Sequence, residues 1–255
     1  MNMALHITPL QGFPLVCPGD DLALLINVSL TTNGLALVAG DVLVLAQKIV
    51  SKSEDRYVRL GDITPSTDAE ALALEADKDP RLVELILRES REVLRVRRGV
   101  IIVEHRNGYV HANAGIDRSN IENSEQDPQV LLLPQDADLS AQRLRESLMA
   151  KWGAPIAVVI NDSFGRAWRN GTVGVAIGCA GLTPLKNQVG EHDLFGNTLE
   201  VTEPAVADEL AAAASLVMGQ AAEGCPVVLV RGMTSVNSAV GSASLIRDPA
   251  QDLFR

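Results

Sequence analysis

The segment VVINDSFGRAWRNGTVGVAIG holds the sharpest set of side chains that could do chemistry. An apolar strand is predicted to deliver Asp162 and Ser163 at its carboxyl end, and Arg166 and Arg169 follow in a compact, glycine-containing turn. A carboxylate beside a hydroxyl suits Mg²⁺ or Mn²⁺, and guanidinium groups suit phosphate oxygens. The same pattern permits a purely structural interpretation, in which Asp162 caps a turn and pairs with Arg166.

Two further segments place polar side chains where strands are predicted to end. In HANAGIDRSN, Asp117 follows a glycine and an isoleucine, and Asn120 comes three residues later. In QKIVSKSE, Lys48 and Lys52 leave a strand and could neutralise phosphate. Two acidic strand ends from distant segments could hold one divalent ion, although an Asx-type loop and solvated lysines would explain the same residues.

Six segments rich in β-branched and other apolar residues are the predicted strands that would carry these side chains. They span residues 41–49, 100–106, 129–133, 155–160, 172–177 and 226–230. The helical segments between them do not alternate with them regularly, as a simple doubly wound sheet would require. The sequence therefore predicts an α+β fold with a mixed β-sheet.

Helical periodicity and end signals predict four helices between the strands. Thr67 and Glu70 have the spacing of a capping box ahead of a short helix. Asp79, followed by a proline, opens a second helix whose apolar face continues to Leu94. Two longer helices are bounded by Ser140 and Gly153 and by Thr202 and Gly219. The mostly helical stretch 64–96 lies between strand-rich segments and could be an inserted subdomain.

The dipeptide Asn107-Gly108 between two strand-like runs is a strong signal for a type I′ β-hairpin turn. A two-residue turn at this point fixes which side chains share a face of the hairpin. The predicted core face holds Ile101, Val103, His105, Val110, Ala112 and Ala114, and the other face holds Glu104, Arg106, Tyr109, His111 and Asn113. His105 and His111 then lie on opposite faces, so they cannot jointly bind a metal from regular strand positions.

Length and charge limit the classes of protein that remain. The 255 residues admit one large domain or two closely joined ones, and we treat 1–255 as one unit. With 22 Lys and Arg against 32 Asp and Glu, the net charge of −10 creates no general field that attracts nucleic acid or an anionic membrane. An anionic ligand therefore needs a local site.

The sequence lacks the motifs that identify several common classes of enzyme and metal site. No P-loop, dinucleotide-binding, GxSxG or HExxH motif occurs. The three cysteines, Cys17, Cys179 and Cys225, are far apart and odd in number, which argues against a disulfide framework or a structural zinc site. The amino terminus lacks a signal-peptide pattern and no apolar run approaches 18 residues, so a cytoplasmic protein is expected.

Several motifs occur in an order that resembles the F420-0:gamma-glutamyl ligase family. They are GDVLVLAQKIVSKSE, NAGIDRSN, INDSFGR followed by GTVGVAIGCAG, HDLFGNTLEVTEPAVADELAAAASLVMGQA, and VVLVRG. The resemblance runs from LQGFPLVCPGDDL near the start to Gly232, which is essentially the whole chain. It is specific, because several unrelated motifs match together.

The resemblance implies an enzyme of deazaflavin coenzyme F420 biosynthesis. Family members use GTP to join L-glutamate to the phospholactyl end of the precursor F420-0, and they often add further glutamates through γ-linkages. The implied fold is a two-domain α+β protein that forms an intertwined homodimer. The chain ends at Arg255, so the nitroreductase-like domain fused to some relatives is not expected.

The resemblance also assigns site residues. Asp117 and Asp162 match the family's divalent-metal aspartates, and Ser163 matches a hydroxyl ligand of a second metal. Gln220 stands where many relatives carry a glutamate ligand, so a neutral carbonyl replaces a charge there. The implied GTP contacts are Phe13, Pro14, Leu15, Val16, Gln47, Lys52, Asn120, Met218, Gly219, Gln220 and Ala221. The implied ions are Mg²⁺ or Mn²⁺ at two sites, with K⁺ as a further candidate.

The hypothesis for the reaction has two steps. The carboxylate of the precursor attacks the γ-phosphorus of GTP to give an acyl phosphate, and the amine of glutamate then displaces phosphate to form an amide. Asp117 and Asp162 hold metal against phosphate oxygens. Lys52, Arg166 and Arg169 offset the remaining negative charge. The residues identify no general base for the amine.

Three other functions are compatible with the same residues. A ligase of the same fold could attach an amino acid to a different phosphorylated acceptor. A metal-dependent protein could bind GTP without any ligation. An interaction domain could use the alanine-rich helix around 211–214 for dimerisation, and it would then show no metal effect.

Overall fold

The computed structural model describes residues 4–122, 124, 126, 128–233 and 238–253. The strands are β1 (His6–Pro9), β2 (Val42–Ala46), β3 (Tyr57–Arg59), β4 (Ser90–Arg97), β5 (Val100–His105), β6 (Val110–Ala112), β7 (Gln129–Leu131), β8 (Ala157–Arg166), β9 (Arg169–Ala180) and β10 (Val227–Arg231). The helices are α1 (Leu22–Thr32), α2 (Gln47–Ser53), α3 (Thr67–Ala76), α4 (Pro80–Arg88), α5 (Ala137–Trp152) and α6 (Val206–Met218). None of the helices in this part of the chain has the length and apolar composition needed to cross a membrane.

Five strands form a mixed central sheet in the order β1-β10-β2-β8-β9. All its neighbouring pairs are antiparallel except β2 and β8, which run parallel. Two smaller sheets have the orders β3-β7 and β4-β5-β6. The α+β fold with a mixed sheet is therefore confirmed.

The central sheet is buried on both faces because helices cover both sides. Leu43 and Leu45 of β2 face a core that includes residues of α1 and α5, whereas Val42 and Val44 face the core under α6. Alternate residues of a strand point to opposite faces, so a strand that is covered on both sides must be apolar throughout. This explains the uninterrupted apolar runs in β2 and β8.

A separate apolar core lies between the two smaller sheets and helices α3 and α4. Its fully buried side chains include Leu60, Ile86, Ile101 and Val130. This core shares no buried residue with the two cores of the central sheet. The division of the chain into two domains and the subdomain at 64–96 stay predictions.

The predicted continuation of the second helix to Leu94 is wrong. Helix α4 ends at Arg88, and Val93 and Leu94 belong to β4, which pairs with β5. The register between β4 and β5 shifts twice within this strand. Such irregularities break the alternation of apolar residues that identifies a strand, so the segment imitates a helical pattern in the sequence.

Two other helices begin earlier than predicted. The cap of α3 is Ser66, whose hydroxyl accepts the N–H of Ala69, so Thr67 is the first helical residue and not the cap. Helix α5 begins directly after Asp136, whose carboxylate accepts the N–H of Leu139, and not near Ser140. Both corrected caps are residue types that satisfy free N–H groups at a helix start.

The last helix starts later than predicted. Helix α6 begins at Val206 and not after Thr202, because the preceding residues pair with an earlier segment. The N–H of Gln188 donates to the carbonyl of Thr202, and the N–H of Lys186 donates to that of Pro204. Residues 186–204 therefore form an extended, doubled-back segment, which we call the arm.

The β5–β6 hairpin has a different register from the predicted one. Val103 pairs with His111, one residue away from its expected partner. A type I′ turn needs positive φ at both central residues, but only Gly108, and not Asn107, has it, with φ +95°. The loop is longer by one residue, and the slip places His105 and His111 on the same face. Their predicted opposite placement is wrong.

Two strand boundaries near the predicted chemistry also differ. Strand β2 ends at Ala46, so Lys48 and Lys52 lie on α2 and not at the end of a strand. Strand β8 continues to Arg166, so Asp162 lies inside the strand. Antiparallel pairing with β9 carries β8 past the point where its apolar residues stop. Non-local pairing overrides the weak β propensity of this segment.

Glu84 joins α4 to the start of α3. Its Oε2 accepts hydrogen bonds from the N–H and the hydroxyl of Ser66 at 2.9 and 2.7 Å, and its Oε1 accepts one from Arg88 at 2.8 Å. These contacts lower the pKa of Glu84 from 4.5 to about 2. The charged carboxylate therefore stabilises the folded state above pH 4.5, and this stabilisation is lost as the pH falls towards 2.

We expect Glu84→Gln to lower the free energy of unfolding at pH 7 by about 1 to 3 kcal/mol, because hydrogen bonds to a charged acceptor are replaced by weaker ones. The difference between wild type and variant should shrink at pH 3. Urea unfolding at both pH values measures it, with Glu75→Gln, an exposed substitution on α3, as the matched control. A difference that does not change with pH would contradict this role of the charge.

Candidate active site

A cleft of about 1080 Å³ opens beside the carboxyl end of β2, where its parallel pairing with β8 stops. The parallel register pairs Ala46 with Asn161, so Gln47 and Asp162 follow side by side at the edge of the sheet. The loop before α1, the loop after α6 and strand β3 supply further walls. The cleft therefore collects segments that are far apart in the sequence.

Every residue assigned to GTP by the family resemblance lines this cleft: Phe13, Pro14, Leu15, Val16, Gln47, Lys52, Asn120, Met218, Gly219, Gln220 and Ala221. Asn120 joins three of these segments. Its side-chain amide donates to the carbonyl of Ala221 at 3.0 Å, and its own carbonyl accepts from Lys52 Nζ at 2.6 Å. Asn120 has φ +55°, a left-handed conformation that asparagine tolerates better than most residues.

The carboxylate of Asp162 lines the cleft, and the carboxylate of Asp117 contacts two residues of the cleft wall, Gln47 and Lys48. Asp117 Oδ2 accepts a hydrogen bond from Gln47 Nε2 at 2.6 Å and forms an ion pair with Lys48 Nζ at 2.9 Å. Burial raises the pKa of Asp117, the charge of Lys48 lowers it, and the charge of Asp162 raises it again. The net result is a raised pKa for Asp117, with burial as its largest cause.

Asp162 belongs to a connected group of polar side chains. Its Oδ1 accepts the N–H of Ser163 at 2.8 Å, and its Oδ2 lies 3.2 Å from His111 Nε2. The hydroxyl of Ser163 donates to Gln220 Oε1 at 2.8 Å. The structure therefore brings together Asp162, Ser163 and Gln220, which the sequence predicts as metal ligands.

These oxygen atoms fit a hard divalent cation. Across the described residues, no three or more His, Cys, Asp and Glu side chains are arranged to hold a metal among themselves. Mg²⁺ rarely needs such a cage, because it binds through one or two carboxylates and fills its other positions with water and substrate phosphates. Asp117 and Asp162 would supply the carboxylates, with the oxygens of Ser163 and Gln220 nearby. Two separate metal sites stay a prediction.

Two lysines supply positive charge to the cleft. Lys48 and Lys52 are four residues apart on α2 and therefore share one face of the helix. Burial, followed by the neighbouring charge of Lys48, lowers the pKa of Lys52. Arg166 and Arg169 instead lie opposite each other at the end of the β8–β9 hairpin and do not line the cleft. Within one chain, the lysines rather than the arginines are placed to offset the charge of a ligand.

Sequence reasoning does not identify two contacts of this site. It identifies Lys48 as a basic residue but not as the partner of Asp117, and it places His111 on the wrong face of its hairpin. A signal exists for each residue. Helical spacing in QKIVSK puts both lysines on one face, and a three-residue loop with glycine in the left-handed position gives the observed hairpin register.

The fold and the cleft define a class of protein. Carboxylates suit a divalent ion and lysines suit phosphate, so the cleft is suited to an enzyme that acts on a phosphorylated, anionic substrate. Comparison with known proteins narrows this class, because the family model for F420-0:gamma-glutamyl ligase matches residues 12–232. The chain belongs to the F420-0:gamma-glutamyl ligase family, as the motif order in the sequence predicts.

Three similar proteins share the name coenzyme F420:L-glutamate ligase. The protein from Methanothermobacter thermautotrophicus is 47% identical over 255 residues, covering 99% of this chain and all of the relative. The protein from Methanopyrus kandleri is 44% identical, covering 98% of each chain. The protein from Archaeoglobus fulgidus is 39% identical, covering 99% of this chain and 97% of the relative. The similarity thus extends over the whole fold.

We expect Gln220→Glu to strengthen binding of Mn²⁺, because it adds a negative charge beside Ser163 and Asp162. Two opposite unit charges 4 Å apart attract by about 1 kcal/mol even in water, which corresponds to about a fivefold tighter dissociation constant. Titration with Mn²⁺, followed by calorimetry, measures the change. Gln135→Glu adds the same charge at an exposed position elsewhere and serves as the control. Equal effects of the two substitutions would argue against a metal near Gln220.

Proposed function

We propose that the chain is a GTP-dependent ligase that joins L-glutamate to the phospholactyl carboxylate of coenzyme F420-0, with γ-linkages for any further glutamates. One observation carries the proposal: Asp162 lines the same cleft as the segments assigned to GTP, and Asp117 is hydrogen-bonded to Gln47 of that lining. The shared name of the similar proteins supports F420 and L-glutamate as the substrates.

The proposed reaction has two steps. An oxygen of the acceptor carboxylate attacks the γ-phosphorus of GTP, which forms an acyl phosphate as the bond to GDP breaks. The amine of glutamate then attacks the acyl carbon, inorganic phosphate leaves, and the amine proton passes to phosphate or solvent. Phosphoryl transfer leaves little covalent chemistry to the protein, whose work is to align the reactants and offset their charge.

Different residues of the cleft are proposed to bind the ion and to neutralise the charge of the phosphates. Asp117 and Asp162 would hold the divalent ion, with Ser163 and Gln220 available for a second one. A bound ion would supply charge neutralisation at the phosphate oxygens. Lys48 and Lys52 lie on the same face of α2 at the cleft wall, where an ammonium group can act as a point charge for phosphate.

We also propose that two copies of the chain form a homodimer through the arm, residues 186–204. Leu194 and Phe195 at its turn are 99% and 90% exposed in the single chain. Exposed apolar patches often mark protein–protein contacts, and these two adjacent side chains are the candidate patch on the arm. A second copy of the same chain is the partner that family membership favours.

Mass spectrometry of F420-0 after incubation with the protein, GTP, Mg²⁺ or Mn²⁺ and L-glutamate tests the reaction. We expect successive mass increases of one glutamyl residue, and none when GTP or the metal is omitted. GTP binding without any mass increase would overturn the proposed ligation. In that case other phosphorylated acceptors, tested in the same assay, would separate a different ligase from a protein that only binds GTP.

We expect Asp162→Asn to reduce turnover by about 100-fold or more, because it removes a charge needed to hold the ion while keeping the side-chain shape. The thermal unfolding midpoint should stay close to that of the wild type. Glutamate-dependent phosphate release measures turnover. Asp68→Asn, at an exposed position on α3, is the matched control and should leave turnover unchanged. Wild-type turnover in Asp162→Asn would exclude Asp162 from the mechanism.

We expect the double substitution Leu194→Ser and Phe195→Ser to shift the protein from dimer to monomer, because it removes the exposed apolar tip of the arm. Size-exclusion chromatography with light scattering measures the mass in solution. Leu74→Ser, which changes a similarly exposed leucine on α3, should leave the dimer intact. A monomeric wild type, or a dimeric double variant, would contradict the role of the arm.

A further inference from the structure

His111 occupies a nearly buried position beside the carboxylate pair. It lies on β6 opposite Val103, and its side chain is 11% exposed. Its ring packs edge-on against Phe164, with ring centroids 3.9 Å apart and planes at 69°. Phe164 lies two residues beyond Asp162 on β8, so the same strand provides both the carboxylate and the ring that holds His111 in place.

Both ring nitrogens of His111 face oxygen atoms that accept hydrogen bonds. Nδ1 lies 2.9 Å from the carbonyl oxygen of Ala112, and Nε2 lies 3.2 Å from Asp162 Oδ2. A carboxylate only accepts hydrogen bonds, so the contact with Asp162 is made by a ring that carries hydrogen on Nε2. The contact with Ala112 and the packing against Phe164 fix the rotation of the ring, which points Nε2 at Asp162.

Asp162 is consequently held from two sides. Its Oδ1 accepts the backbone N–H of Ser163, and its Oδ2 accepts the N–H of His111. Each carboxylate oxygen has further lone pairs, so these bonds fix the orientation of the group without using all of its capacity to bind. Hydrogen bonds of this kind to a metal-binding carboxylate commonly change metal affinity by 10- to 100-fold when they are removed.

We propose that His111 is a positioning residue, whose Nε2–H fixes the orientation of the Asp162 carboxylate for a divalent cation. This inference rests on the proposed function, because it requires Asp162 to bind the ion. It adds a residue that contacts neither the ion nor the nucleotide and acts through Asp162. The geometry also explains why the hairpin carries a histidine at a nearly buried position close to a carboxylate.

The test compares His111→Gln with His111→Asn. A glutamine amide can place an N–H near the position of Nε2, whereas the shorter asparagine amide ends near Nδ1 and does not reach Asp162. Both variants lack the imidazole ring, so the difference between them isolates the hydrogen bond to Asp162. The measurement is the dissociation constant for Mn²⁺ alone, by calorimetry or by electron paramagnetic resonance of free Mn²⁺, together with thermal unfolding.

We expect His111→Asn to bind Mn²⁺ about 10-fold more weakly than His111→Gln, at similar thermal stability. Equal dissociation constants in the two folded variants would overturn the positioning role. Should His111→Asn fail to fold, His111→Leu, which also lacks a donor, replaces it in the same comparison with the same expected result.

Asp162→Asn, measured in the same titration, distinguishes the proposed metal role of Asp162 from the positioning role of His111. If Asp162→Asn weakens Mn²⁺ binding while the two His111 variants bind equally, only the positioning role fails. If Asp162→Asn binds Mn²⁺ as tightly as the wild type, Asp162 does not hold the ion, and both the proposed metal role and the inference about His111 fail. A loss in Asp162→Asn and in His111→Asn, but not in His111→Gln, supports both.

Discussion

The site depends on holding two partly buried carboxylates, Asp117 and Asp162, whose like charges act on each other. Like charges repel more strongly as the surroundings exclude water, and burial raises the pKa of Asp117. The fold offsets this cost by giving each carboxylate its own donors. Residues at the start of α2 bind Asp117, whereas Ser163 and His111 bind Asp162. Removing one donor would leave the charge of its carboxylate uncompensated. Each carboxylate therefore depends on its own hydrogen-bond donors.

A single parallel pair of strands brings these donors together. The parallel pairing of β2 with β8 ends at Ala46 and Asn161, and ligands bind beside the carboxyl ends of strands in many open sheets. Strand β2 turns directly into α2, which presents its first two residues to Asp117. Strand β8 continues and carries Asp162 past the end of this pairing. Apolar packing on both faces fixes the positions of these strands, so the polar site does not have to hold them in place.

The sequence identifies the chemical groups of the site more readily than their geometry. Asp162 and Ser163 are evident because an apolar run that stops at two oxygen-bearing side chains is a local pattern. The extension of β8 is not evident, because it depends on pairing with β9, and local propensity does not include a partner strand. For His111, one extra residue in the hairpin loop reverses which face the side chain occupies. The α+β fold with a mixed sheet is predictable, because it follows from the order of segments and not from their register.

Charge balance explains why a metal and a nucleotide belong together in the proposed reaction. The chain carries a net charge of −10, and both cleft lysines have partners within the protein, Lys48 with Asp117 and Lys52 with the carbonyl of Asn120. A triphosphate entering this cleft alone would meet the carboxylate of Asp162, while the charge of Lys48 is already paired with Asp117. A divalent cation held by those carboxylates would cancel their charge and leave the lysines available to phosphate. The carboxylates that would repel the nucleotide by itself are therefore the groups that would bind it together with its metal.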